Sequence, residues 1–237
     1  MDKATFDQMY KNHILYLTRE SDGENPSEGN FSGLDFTGMS LDGLNLSNAD
    51  FSNADFTNTS MRCCTFHDCN FNGARFKDVD ASCSEFDHST FRYSNIKSST
   101  MSACSFDSCH FIRTFAENTD FAKSVFVNSN FEGCMFICAN FIKSILADTF
   151  FDGFHTSFKY CNFNEANTKG LKGLKSIIVS QCFFNGDKPT NSLRRLNQKE
   201  FLRYVLDQMV YTIKSFFRPG KRLESRSQKM LPKMNKE

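Results

Sequence analysis

The sequence predicts an all-β solenoid, a chain that turns a corner once every five residues around a packed apolar axis. Three observations predict it. Every fifth residue from Phe31 to Phe151 belongs to one unbroken series of 25 positions: 17 Phe, three Leu, two Met, one Ile and two Ala. The residue two places before each centre is small or β-branched, from Ala49, Ala54, Thr59, Cys64 and Cys69 through Ser84 to Thr149. The other three positions of each unit are mostly Asn, Asp, Ser, Gly, Lys or Arg, and the first four of these suit repeated tight turns. A helix repeats near 3.6 residues and a half-buried strand every two, so neither template accommodates a period of five. One large and one small side chain of each unit therefore point inward, and the polar three point out.

Stretches such as LSNADFSNADFTNTS (46–60), CTFHDCNFNGARF (64–76) and CMFICANF (134–141) resemble the pentapeptide-repeat family. The resemblance runs over residues 31–167. It implies a right-handed quadrilateral β-helix with four five-residue units per coil, so that residues 20 apart stack in adjacent coils. On that geometry Phe31, Phe51, Phe71, Phe91, Phe111, Phe131 and Phe151 form one all-Phe column. Leu46, Phe66, Phe86, Phe106, Phe126 and Leu146 form another. At the ~4.8 Å spacing of hydrogen-bonded strands, six coils and a fraction make a rod roughly 30 Å long. Stacked rings fill its axis and leave no room for a ligand, so no cofactor is expected. Repeats of this kind bury apolar surface only against their neighbours.

The ends depart from the pattern. Residues 1–30 read as a capping helix and loop. The helix spans 4–18, with Phe6, Met9, Tyr10, Ile14 and Leu17 on one stripe covering the open edge of the first coil. After Phe151 the frame slips by two residues and resumes at Phe158 and Phe163. Residues 168–191 read as a terminal cap. A long amphipathic basic helix is expected over 192–217, stopped by Pro219-Gly220, and a basic tail with little to bury over 218–237.

Ten cysteines raise disulfide and metal readings. Cys64, Cys69, Cys104, Cys109, Cys134 and Cys161 occupy the small inward slot, where Cys serves as a small hydrophobe. Only Cys63 and Cys83 stand one coil apart on the outside, and free thiols are the favoured reading even there. That points to a reducing compartment. No apolar run is long enough for a membrane span.

Charge is divided along the chain. Residues 1–30 carry three basic and six acidic groups (−3), residues 31–165 nine and 16 (−7), and residues 166–237 16 and five (+11). A rod so charged fits a basic partner, and the tail an anionic membrane, a nucleic acid or simply solvent. Outward slots are polar up to residue 111 apart from Tyr93. Beyond it they include Ile112, Phe115, Val125, Val127, Met135, Ile137, Ile142, Ile145 and Phe150. With Arg194, Arg195 and Arg203 of the basic helix, these form the candidate interaction surface. The C-terminal helix is expected to cover one apolar patch, and the other to meet a partner or a second copy.

Asp68, His88 and Ser108 have the composition of a hydrolase triad. Spaced 20 apart, they make a parallel outward ladder without an oxyanion donor, and catalysis is not expected. His67 is expected to pair weakly with Asp87. No phosphate-loop, zinc-protease or paired CxxC motif occurs.

The function expected is a non-catalytic scaffold that docks on another macromolecule, with a protein partner and, as a further option, a homodimer through the C-terminal helix. The resemblance implies two sharper versions. Family members that protect type II topoisomerases look like duplex DNA in size, shape and charge; the acidic rod is similar, and the +11 tail departs from that pattern. Secreted bacterial effectors join such coils to helical or basic ends, in which case residues 192–237 would make a peripheral contact with an anionic membrane or a host protein. The expected location is cytoplasmic or, for an effector, inside a host cell.

Overall fold

The structure, a computed structural model, describes residues 2–19, 28–151, 156–167, 172, 177–180, 182–183 and 195–196. In each unit the residue two after the centre lies in the left-handed region, as at Gly33 (φ +67°), Asn53 (φ +58°) and Ala103 (φ +56°). A turn closes there on the first, third and fourth sides and, in the first two coils, on the second, the N–H three past the centre donating to the centre's carbonyl, as Ala54 N does to Phe51 O at 3.1 Å. Gly and Asn tolerate this backbone, and other residues take it at a cost of roughly 1–2 kcal/mol. Ala103→Gly is therefore expected to raise the unfolding free energy by roughly 0.5 kcal/mol, once the entropy of a more flexible unfolded chain is deducted. A denaturant midpoint that falls instead would refute this.

Between corners the chain makes one bridging residue per side, or three or four where a parallel strand forms. Bridges link residues 20 apart from Asn30↔Asp50 to Asn130↔Phe150, always parallel. The coil has four sides. The first carries Phe31 through Phe151 as centres. The second carries Phe36, Phe56, Phe76, Ile96, Ala116, Phe136 and Phe158. The third carries Leu41 through Phe141 and Phe163, and the fourth Leu46 through Leu146. All of these centres are buried. The second side carries a run of regular strands: β1 (Arg75–Lys77), β2 (Asn95–Lys97), β3 (Phe115–Glu117), β4 (Met135–Ile137), β5 (Thr156–Lys159) and β6 (Ile177–Ser180), paired in that order. From Asn140↔Asn162 onward the bridges absorb the slip in the frame, so Phe158 stacks on Phe136 (centroids 4.9 Å apart) and Phe163 on Phe141 (5.0 Å).

The axis is a stack of rings. Along the first side successive phenylalanines lie 5.0 Å (Phe31–Phe51), 5.1 Å (Phe51–Phe71) and 5.0 Å (Phe71–Phe91) apart, nearly parallel. Rings of adjacent sides meet edge to face, as Phe86 and Phe91 do at 5.6 Å, the two arrangements that the aromatic quadrupole favours.

The small slot does more than save space. Its side chain donates to the carbonyl of a centre in the preceding coil: Ser84 Oγ to Met61 O at 2.6 Å, Ser89 Oγ to Phe66 O at 2.6 Å, Thr59 Oγ1 to Phe36 O at 2.8 Å. The cysteines, expected as plain hydrophobes, do the same, with Cys64 Sγ 2.9 Å from Leu41 O and Cys104 Sγ 3.0 Å from Ala81 O. Burial pushes these thiols up, to about 11 at Cys64 and about 12 at Cys69, so they stay protonated and unreactive. Ser84 Oγ also accepts from Cys64 N at 3.0 Å. Ser84→Ala removes both bonds inside the core and should lower the unfolding free energy by about 1–3 kcal/mol. Ser84→Cys, which keeps the donor, should recover part of the loss in the same denaturation measurement.

At the N-terminus α1 (Lys3–Thr18) is capped by Asp2, whose carboxylate accepts from Thr5 N at 3.0 Å. Its buried face departs from the expected stripe. Phe6, His13 and Leu15 are buried, whereas Ile14 and Leu17 are only half-buried. His13 Nδ1 accepts from Gly29 N at 2.9 Å, and its ring lies edge-on to Phe31. Gly29 is obligatory here, since a Cβ would sit 2.3 Å from Phe31 Cε2. The first-coil slots hold Leu34, Met39 and Leu44, which pack against the core with Met9 and Tyr10 of α1. Large slots at this end thus belong to the cap.

At the other end Cys182 is buried, with Sγ 3.4 Å from Phe158 O. β7 (Cys182–Phe183) therefore follows the corner from the second side to the third. β8 (Arg195–Leu196) pairs antiparallel with it, Leu196 opposite Cys182. This corrects the expected helix start at Ser192: Arg195 and Leu196 are extended. The rest of the 192–217 helix and the 218–237 tail lie outside the described residues.

Candidate functional site

With rings packed along the axis, chemistry can occur only on the outside. The nine apolar outward residues fall on all four sides, and two groups are brought together. On the second side Phe115 lies beside Met135 in the β3–β4 register, and Glu117 beside Ile137. Met135 is 47% exposed. On the fourth side Val125 bridges Ile145, with Val127 in the neighbouring column. Two corners separate these sides, so the groups look in opposite directions. Ile112 and Phe150 lie on the first side, where Lys172 Nζ stands 4.4 Å over the Phe150 ring. Ile142 lies on the third. Arg195 is in β8, and Arg194 and Arg203 fall outside the described residues.

The two apolar faces differ in charge. Around Phe115 and Met135 stand Arg75, Lys77, Lys97 and Lys159. Lys97 pairs with Glu117 at 2.9 Å, Lys77 with Asp78 at 3.7 Å and Arg75 with Asp55 at 3.7 Å. On the fourth side, N-terminal to the valines, stand Glu85, Asp87 and Asp107. His67 Nε2 lies 3.0 Å from Glu85 Oε2. It does not take the expected partner, Asp87, whose Oδ1 accepts from Ser105 Oγ at 2.5 Å and Asp107 N at 2.9 Å in the next coil. One coil further on Val125 replaces the serine, and Asp107 Oδ1 is buried without a hydrogen-bond partner. Asp42 uses the same cross-coil arrangement: hydrogen bonds from the Arg62 side chain and Ser60 hold its carboxyl down to about 2.

Asp68, His88 and Ser108 occupy consecutive left-handed corner positions (φ +58°, +62° and +57°). Their backbones stack in parallel, and no hydrogen bond joins their side chains among the described residues. Cys63 and Cys83 are exposed free thiols. Among the described residues no cluster of three or more His, Cys, Asp or Glu could hold a metal, and no helix is long and apolar enough to cross a membrane. Tyr93 is 61% exposed, with the Arg113 guanidinium 5.7 Å over its ring. Sequence spacing revealed the apolar positions; their division between opposite, oppositely charged faces needed the corner count per coil.

Parallel bridging between equivalent positions of successive coils, a corner in every unit and a solid aromatic axis define a quadrilateral β-solenoid of short repeats. Models of pentapeptide repeats match residues 30–80 and, in three overlapping stretches, 69–107, 99–136 and 117–153. The chain belongs to the pentapeptide-repeat family, whose fold is the right-handed quadrilateral β-helix. Among solved structures it is similar to full-length QnrB1, a plasmid-mediated fluoroquinolone resistance protein, at 15% identity over 76% of this chain and 96% of that one, TM-score 0.39. It is also similar to HetL, involved in heterocyst differentiation regulation in the cyanobacterium Nostoc sp. strain PCC 7120, at 13% identity over 76% and 97%, TM-score 0.27. Rfr23 from the cyanobacterium Cyanothece 51142 matches at 14% identity over 75% and 99%, TM-score 0.23. No curated protein sequence matches.

Proposed function

We propose that the protein is a non-catalytic scaffold that docks on another protein through the second side of its rod. One observation carries this reading: on the second side, Phe115, Met135 and Ile137 form a flat apolar group within a border of charged residues, with Met135 at 47% exposure. A ring of Lys and Arg around an apolar centre has the composition of a docking surface with a polar rim. The cations favour a partner that is acidic around its own apolar patch. The chain's free thiols accord with a reducing compartment, either the cytoplasm or, for a secreted effector, a host cell.

The test is photo-cross-linking from a benzophenone amino acid at position 135 in cells that make the protein. A discrete adduct is expected. It should vanish in Phe115→Ser/Ile137→Ser protein, with an unchanged circular dichroism spectrum. An adduct of equal yield from a polar position such as Ser82 would remove the case for this face. The non-catalytic part fails if any hydrolytic activity of the purified protein is lost on Ser108→Ala. A second reading, topoisomerase protection, is favoured by the rod's −7 charge; protection of gyrase from a quinolone by the purified protein tests it.

A further inference from the structure

We propose that the fourth side of the rod is covered, within the same chain, by the segment after β8, with Leu202, Val205, Leu206, Met209 and Ile213 on the Val125–Val127–Ile145 group and the basic residues that follow over the acidic part of that side. The inference concerns the side opposite the proposed docking face and stands whether or not that face binds a protein.

Three observations support it. The first is where the chain leaves. β8 runs antiparallel to β7 and ends with Leu196 opposite Cys182, at the C-terminal end of the rod. Ile145 bridges Asn167, so the apolar group begins one coil from the last described position of the fourth side. At Leu196 the chain points back toward the corner of the second and third sides, so it must turn and recross the third side to reach the fourth, and 41 residues remain to do it.

The second is order. Passing N-terminally along the fourth side, apolar Ile145, Val125 and Val127 come first, then Asp107, then Asp87 and Glu85. Passing along the chain after β8, Lys199 and Glu200 come first, then the apolar stripe from Leu202 to Ile213 with Arg203 and Asp207 beside it, then Lys214, Arg218 and Lys221 with no acidic residue among them. The two sequences of character agree when the segment runs back along the rod. The lengths agree too. Ile145 to Glu85 is three coils, about 14 Å. Leu202 to Lys214 is about 18 Å at a helical rise of 1.5 Å per residue, and the apolar positions recur at the three- and four-residue spacing of a helix stripe.

The third is charge. Among the described residues the columns of Glu85, Asp87 and Asp107 on the fourth side hold no lysine or arginine, and Asp107 lacks the hydroxyl donor that Asp87 has. Residues 197–237 hold ten basic and four acidic groups, net +6. The second side, where Arg75, Lys77 and Lys97 are already paired with Asp55, Asp78 and Glu117 and Lys159 adds a further cation, offers them no comparable acidic surface.

The experiment uses the full chain. A benzophenone amino acid is placed at Val127 and, in a separate protein, at Met135. Each is irradiated as an equal mixture of isotopically light and heavy chains, and the cross-links are mapped by mass spectrometry. The expected result is cross-linking from position 127 to residues 202–217 within one isotopic chain, and none to that segment from 135. Glu85→Lys/Asp107→Lys should lower the yield from 127 by roughly fivefold, the order that two exposed charge pairs supply. Adding Lys214→Glu/Arg218→Glu should restore it. Mixed light–heavy cross-links from 127 would assign the face to a second copy and overturn the intrachain proposal. Tail cross-links from 135, or none from 127, would overturn it as well. A yield indifferent to both charge reversals would overturn the electrostatic part alone.

Discussion

Phe91→Ala is expected to lower the unfolding free energy by about 3–5 kcal/mol, the largest effect of any single truncation in this chain. Phe91 sits mid-axis. It stacks on Phe71 at 5.0 Å and on Phe111 at 4.8 Å, and meets Phe86 and Phe106 edge to face. A ring-sized void there cannot collapse, because both flanking coils are held at strand spacing by their own backbone ladder. The loss should also change the form of the transition. Each coil of a solenoid is stabilised mainly by its neighbours, so weakening one interface uncouples the coils on either side. A guanidinium titration followed by circular dichroism should show an earlier and broader transition than the parent. Tyr93→Ala, close by in the chain and 61% exposed, should shift the midpoint by no more than ~0.5 kcal/mol equivalent. Equal effects of the two changes would mean that the axis is not what holds the rod together.

Acidification below about pH 6.5 should loosen α1 from the first coil while leaving the middle of the rod intact. His13 is fully buried, and its Nδ1 must be unprotonated to accept the Gly29 N–H. Burial lowers its pKa in the folded state. The docked cap therefore binds fewer protons than the undocked one between the depressed pKa and the ordinary value near 6.5. In that window stability rises with pH: the cap's full stability is present above about 6.5 and is lost as pH falls toward the folded value. Hydrogen exchange of the α1 amides, corrected for intrinsic rates, should speed up by as much as roughly tenfold per pH unit in the window. His13→Gln, whose amide oxygen can still accept from Gly29, should make the protection independent of pH. A His13→Gln protein with the parent's pH profile would show that another group controls the cap.

His13 also shows how legibility varied along the chain. The five-residue centres could be read directly, because every unit repeats the same demand: a large apolar side chain where the chain passes the axis. The helix cap could be placed but its contacts could not, since a histidine on an apolar stripe is chosen by one backbone N–H that Gly29 contributes from well beyond the end of the helix. The slot cysteines were legible as small and buried. Their hydrogen bonds were not, because the acceptor is a carbonyl of the preceding coil whose free lone pair comes within reach only when coils stack. His67 was assigned to Asp87 by simple stacking of equivalent positions, yet Asp87 is already engaged by Ser105 and Asp107, and Glu85 takes the contact.

The spacing of residues along the chain was enough to set the period, the dry aromatic axis and which residues face outward, because in a solenoid those depend on side-chain volume repeated locally. Stacking at 20 residues also grouped Phe115 with Met135 and Ile137, and Val125 with Ile145 and Val127; the charge that surrounds each group came from the folded coil. Phe115 and Val125 are two corners apart, and two corners reverse the direction a side faces. One apolar cluster therefore lies among lysines and the other among carboxylates on the opposite side of the rod. The corner in each unit could be read from the chain, but which surfaces share a side follows from four corners closing a coil.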